Sequence, residues 1–162
     1  VGNETCFLKG KLAFTAFPVA SRIENMETAG CQDDPKIRIL LVEDEPALLE
    51  LLVDVFEGSG AQVFAASNGI EAMEVFERES IDFMLSDVVM PVMDGLTLCN
   101  VLFEKSEGAP IVSKVFLLTG SDGVSVPTGV NDLFSVEVVK KPFDIFSLVS
   151  RVIAIKEKQP RI

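Results

Sequence analysis

The sequence contains no histidine, and of its shortages this one excludes the most chemistry. A histidine-based triad, an HExxH metal site and a phosphohistidine on this chain are all ruled out. Phosphoryl chemistry that runs through histidine must borrow that residue from another protein or another segment. Basic side chains are also few: 14 Lys and Arg against 25 Asp and Glu give a formal charge of −11. Such a balance argues against direct nucleic-acid binding, which needs clustered Lys and Arg, although surplus acid can equally serve solubility. Cys6, Cys31 and Cys99 are odd in number and widely spaced. They match neither a disulfide framework nor a zinc site, so a reducing cytoplasm is expected. No apolar run approaches the ~20 residues that span a bilayer, so no membrane contact is expected. No stretch has the order of a signal peptide, although the chain begins at Val1, as a fragment can.

What is present reads as one globular domain with additions. Apolar residues make up 48% and charged residues 24%, enough for a real core. Residues 36–157 alternate strand and helix signals. The run 37–42 (IRILLV) suits a strand buried on both faces, and Pro46 sits where a first helical turn tolerates it, opening a helix to Gly58. Residues 62–66 form a second strand candidate. Asn68 with Glu71 resembles a capping box before a helix to Arg78. A third strand is expected at 81–86, a helix capped by Asp94 through Lys105, a fourth strand at 115–118 and a fifth at 136–139. Asp144 can cap the last helix, whose Ile145, Leu148, Val149, Val152 and Ile153 share one face. Residues 120–132 hold three glycines and a proline without an apolar stripe, so a loop or a short distorted helix is expected there. This alternation predicts an α/β fold with a doubly wound, five-stranded parallel sheet. Residues 1–35 differ: 5–8 and 12–17 are short strand candidates around Lys9-Gly10, and 21–35 reads as a polar linker. Residues 158–162 are expected to be a tail, and no C-terminal DNA-binding domain is expected.

In an open α/β sheet, ligands bind beyond the carboxyl ends of the strands. Glu43 and Asp44 follow the first expected strand, Asp87 the third, Thr119 the fourth and Lys141 the fifth. Any one of these can simply mark where a strand stops; together they are chemically compatible. Three neighbouring carboxylates repel unless a cation joins them, and Mg²⁺ suits an all-oxygen site that keeps several waters. A carboxylate beside that ion can attack phosphorus to form an acyl phosphate. A hydroxyl and an ammonium, here Thr119 and Lys141, can each meet a phosphoryl oxygen.

The motifs LVEDEP (41–46), DVVMPVMDG (87–95), LLTG (117–120) and KPF (141–143) resemble those of the receiver domains of two-component signalling. The match covers roughly residues 36–157. It implies a flavodoxin-like sheet of strand order 2-1-3-4-5, with Asp87 as phosphoacceptor. Glu43 and Asp44 would bind Mg²⁺ directly or through water, and the Val89 carbonyl would be a further ligand. Thr119 would contact the phosphoryl group and Lys141 would pair with it, while Lys140 faces solvent. Met90, Pro91, Met93 and Gly95 fit a turn, and Cys99 an inert packed thiol. The implied donor is a histidine kinase or phosphotransfer protein. On this reading the chain is a signalling module and no enzyme in the usual sense.

Two departures stand out. The family often carries an aromatic residue three positions before the KPF lysine, where this sequence has Val138, and residues 120–132 fall where the family has its fourth helix. Residues 2–7 (GNETCF) faintly resemble the end of a kinase ATP-binding domain. The chain is therefore either the tail of a hybrid histidine kinase, tethered to a membrane-bound kinase, or a stand-alone regulator. Two rival readings are a pseudo-receiver that only binds partners and a flavodoxin-type electron carrier. Against the latter, EDEP would repel a flavin phosphate, and the Ser, Thr and Gly of a phosphate loop are missing after the first strand.

Overall fold

A computed structural model describes residues 36–158; the expectations for 1–35, including Cys6 and Cys31, and for the last four residues lie outside it. The elements run β1 (Arg38–Val42), α1 (Pro46–Gly58), β2 (Gln62–Ala66), α2 (Gly69–Arg78), β3 (Phe83–Asp87), α3 (Gly95–Lys105), β4 (Lys114–Thr119), α4 (Thr128–Phe134), β5 (Val136–Lys140) and α5 (Ile145–Lys158). All four strand pairings are parallel, in the order β2-β1-β3-β4-β5. This is the doubly wound sheet that the alternation predicts.

The sheet is apolar on both faces because successive residues of a strand point opposite ways. Leu40, Val42, Met84, Val115 and Leu117 pack on one side with Ala72 of α2, Leu98 and Leu102 of α3, and Val130 and Phe134 of α4. Ile39, Leu41, Phe83, Leu85, Phe116 and Leu118 pack on the other with Leu52 and Phe56 of α1 and Leu148, Val149 and Val152 of α5. Ile145 and Ile153 pack against that second cluster, completing the apolar stripe of the last helix.

Helix starts follow local chemistry. Pro46 opens α1, where its missing N–H costs no intrahelical bond. The Asn68 side chain accepts from the Ile70 and Glu71 amides at 2.9 and 3.1 Å. Glu71 reaches one residue further back than a capping box requires, accepting from the Ser67 N–H at 2.8 Å. Asp94 accepts from the Thr97 amide at 2.7 Å, and Asp144 from Phe146 at 3.2 Å.

One boundary needs correction, while the loop or short helix expected over 120–132 is present as a loop followed by a short helix. β3 begins at Phe83, later than position 81. Asp82 is taken up instead at the strand's mouth, where its N–H donates to the Arg38 carbonyl at 2.8 Å and its carboxylate accepts from the Arg38 N–H at 2.8 Å. The segment after β4 is half helical: 120–127 is irregular, but α4 buries Val130 and Phe134 on one side. Its apolar spacing is completed by Phe134, two residues beyond the window 120–132. Gly129 assists, since a Cβ there would come within 3.1 Å of the Phe103 ring on α3.

Candidate functional site

Strand register brings the candidate residues to one edge. Val42 pairs with Ser86, Asp87 with Leu118 and Thr119 with Lys140. Each of Glu43, Asp87, Thr119 and Lys141 therefore ends or follows a strand at nearly the same height. Backbone bonds beyond the ladders hold these ends: Glu43 N–H to Ala66 O at 3.1 Å, Val88 N–H to Leu118 O at 2.8 Å and Lys141 N–H to Thr119 O at 2.7 Å.

Glu43, Asp44 and Asp87 place one carboxylate oxygen each within 4.8 Å of the others. Glu43 and Asp87 are buried, whereas Asp44 is exposed. The Lys141 ammonium donates to Asp87 Oδ2 at 2.8 Å and to Glu43 Oε2 at 2.9 Å. Burial pushes the Glu43 carboxyl above the usual glutamate range, against the opposing pull of Lys141. Burial also works against the Lys141 charge, but the hydrogen bonds it donates to Asp87 and Glu43, and their charges, outweigh it and raise its pKa. The two directions agree physically: the ammonium, the more exposed partner, gains from two carboxylates, while Glu43 is desolvated and shares its single cation.

One ammonium cannot neutralise three carboxylates. The surplus negative charge and the all-oxygen donor set fit a hard divalent cation, with Asp44 free to turn toward it. Val89 follows Asp87 with an exposed side chain, and its N–H donates to Asp87 Oδ1 at 3.3 Å. Thr119 is buried, and its Oγ1 accepts from the Ser121 N–H at 3.1 Å. Lys140 faces outward and pairs with Asp122. Cys99 is buried in the α3 core, where burial, with Asp94 nearby, pushes its thiol up to about 12, well outside the reactive range.

Two contributors were not singled out from sequence. Ser86, fully buried, donates its hydroxyl to the Asp87 carbonyl at 2.9 Å; as one small residue in an apolar strand it gave little signal. Gly69 lies against the loop that follows Asp87. Its signal was a glycine at the first position of a well-capped helix, where alanine has the better propensity.

The model of the response regulator receiver domain matches residues 39–153 of this chain. Similar curated proteins include the response regulator MprA of Mycobacterium leprae, 34% identical over 119 residues, which cover 74% of this chain and 50% of that protein. The DNA-binding response regulator MtrA of Mycolicibacterium smegmatis is 35% identical over 120 residues, again 74% and 50%. The chain thus spans about half the length of these relatives. Among solved structures, the receiver domain from the hybrid histidine kinase CckA aligns with a TM-score of 0.56 at 34% identity, covering 72% of this chain and 96% of that one. The response regulator TrrA of Thermotoga maritima, in complex with Mg²⁺-BeF, aligns with a TM-score of 0.60 at 28% identity, covering 74% and 98%.

Proposed function

This chain belongs to the response regulator receiver domain family, and on that premise we propose that Asp87 is its phosphoacceptor. The domain is a receiver of two-component signalling, a phosphoacceptor module and not a classical enzyme. The observation that carries the assignment of Asp87 is its place among Glu43, Asp44 and Lys141, with the Val89 amide on its other oxygen.

The donor in this reading is a phosphohistidine on a histidine kinase or phosphotransfer protein, since this chain has no histidine. An Asp87 carboxylate oxygen attacks phosphorus, the new O–P bond forms and the donor's N–P bond breaks. Its electron pair stays on the donor nitrogen. Lys141 turns from a carboxylate to a phosphoryl oxygen, exchanging one charged hydrogen bond for another. The Thr119 hydroxyl exchanges its Ser121 contact for the same group. Later attack by water on phosphorus returns phosphate and free Asp87. Glu43, Asp44, Asp87 and the Val89 carbonyl would hold Mg²⁺, which when bound supplies positive charge against the phosphoryl oxygens. TrrA, crystallised with Mg²⁺-BeF, supports this choice of ion.

The receiver is placed at 36–157, with 1–35 as a separate N-terminal region and 158–162 as a tail. A cytoplasmic site of action belongs to the same reading; among the described residues no helix is long and apolar enough to cross a membrane. The likeness to the CckA receiver favours, as a second context, attachment to a histidine kinase. Incubation with acetyl phosphate and Mg²⁺ tests the central claim. One phosphoryl mass should be added, and Asp87→Asn should abolish it; undiminished labelling of that variant would assign the nucleophile elsewhere, and no labelling of the native chain would favour the pseudo-receiver.

A further inference from the structure

Gly69 opens α2 and rests on the loop that leaves Asp87. Its N–H donates to the Met93 carbonyl at 3.2 Å. A Cβ at position 69 would lie 2.5 Å from Met93 Cγ, 2.7 Å from Sδ and 2.8 Å from Cβ. Real Cβ atoms do not approach so closely, so any side chain at position 69 would force Met93 to shift. Helix propensity alone would favour alanine.

The loop under Gly69 is held in an unfavourable shape. Val92, β-branched and exposed, has φ 70°, and the Met93 N–H donates to the Pro91 carbonyl at 2.8 Å to close a three-residue turn. Such a conformation persists only where its surroundings over-determine it. At the far end, the Gly95 N–H donates to the Val88 carbonyl at 3.1 Å, and a Cβ at 95 would sit 2.2 Å from the Asp87 carbonyl oxygen. The segment is thus clamped twice, by Gly95 against Asp87 and by Gly69 against Met93. Between the clamps lies the Val89 amide that donates to the Asp87 carboxylate.

Resting on the reading of Asp87 as phosphoacceptor, we propose that Gly69 is a positioning residue for phosphoryl transfer. It acts through Met93, fixing residues 88–94 so that the Val89 amide and the Asp87 carboxylate keep their mutual geometry. It touches no reacting atom. The Gly69 end of α2 becomes part of the acceptor site through its contact with Met93.

Three variants of the full chain test this, each followed by circular dichroism, thermal melting and the rate of labelling by acetyl phosphate with Mg²⁺. Gly69→Ala should stay folded and label on the order of 10–100-fold more slowly, the scale that a displacement of about 1 Å produces. Asn68→Ala removes the α2 cap without touching Met93; it should lower the melting temperature yet label near the native rate. Adding Met93→Ala to Gly69→Ala removes two of the three colliding atoms and should recover part of the rate. A native rate in Gly69→Ala, or equal slowing in Asn68→Ala, overturns the proposal. Should Gly69→Ala fail to fold, Met93→Ala alone reads the same contact, and a native rate in it overturns the proposal as well. Failure of the acceptor assignment would appear separately, as labelling that survives Asp87→Asn.

Discussion

The Lys141 ammonium lies 2.8 Å from Asp87 Oδ2, a contact that joins residues 54 positions apart. It also holds Glu43, which is buried and has no other cation within reach among the described residues. Removing the ammonium therefore strands a desolvated carboxylate. Lys141→Ala should destabilise the metal-free domain at neutral pH by ~1–3 kcal/mol, less than for a fully buried pair because Lys141 is partly exposed. Mg²⁺ should shrink that loss by replacing the missing charge. Urea unfolding with and without Mg²⁺ measures both, and a loss independent of Mg²⁺ would show that the ammonium and the ion do not share these carboxylates.

Metal binding has a stability signature of its own. An ion that binds only the native state at a hundred times its dissociation constant stabilises it by ~2.7 kcal/mol. Asp44→Ala should reduce the Mg²⁺-induced rise in melting temperature, because it removes the exposed carboxylate of the cluster. Without metal the same variant should melt no lower than the native chain, since it relieves repulsion. Equal Mg²⁺-induced shifts in the two proteins would remove the case for a metal site at this edge.

Glu71 gives the domain an acid-sensitive joint at the start of α2. The Ser67 N–H, donating at 2.8 Å, leads in holding its carboxyl below the ordinary value of 4.5, with the Ser67 hydroxyl and the Asn68 amide group adding to it. A depressed carboxyl contributes stability above its unfolded pKa and loses it as pH falls through the folded one. The advantage of the native chain over Glu71→Gln should thus be constant near neutrality and close only below pH 4.5. Melting curves that stay parallel through that range would refute it.

Much of this was legible because period and punctuation coincide. Pro46, Asn68, Asp94 and Asp144 marked helix starts, and the buried runs of β1 and β4 had the composition of strands covered on both faces. The acidic pair, Asp87, Thr119 and Lys141 could be grouped because parallel strands end together. What stayed illegible depends on contacts between distant segments. Nothing in the sequence near Phe134 announces that it completes the stripe of a seven-residue helix, and nothing near Gly69 names Met93 as its neighbour. The strain at Val92 was equally hidden, since valine is a residue that local rules keep out of positive φ.

That strain is itself testable. Val92 is exposed and its side chain supports no core cluster. Asparagine tolerates the left-handed region that a β-branched residue resists. Val92→Asn should stabilise the domain by about 1 kcal/mol, read as a higher melting temperature. An equal or lower value would mean that the turn is not strained by its side chain.

The output of the switch follows from what the signalling face lacks. A ring at position 138 would have two packing sites and so a bistable choice for phosphorylation to bias. Val138 is exposed on the edge strand, short and stiff at its first torsion, and offers no such choice. α4 is not the element to order either, because it is already helical, with Val130 and Phe134 buried and the Asn131 N–H bonded to the Pro127 carbonyl at 3.0 Å. Within 120–132, α4 is thus already ordered, and 120–127 is the irregular part. This stretch begins at Thr119, whose hydroxyl now accepts from the Ser121 amide. On the proposed role of Thr119, its turn to a phosphoryl group on Asp87 would break that bond, and the segment would have to find a new arrangement. A coupling of ~1–3 kcal/mol, usual for such links, is enough to reorder a short loop. Hydrogen exchange on binding beryllofluoride should change within 120–127, while α4 amides are protected before and after. Unchanged exchange in 120–127, or a change confined to α4 and β5, would return the output to the helix face.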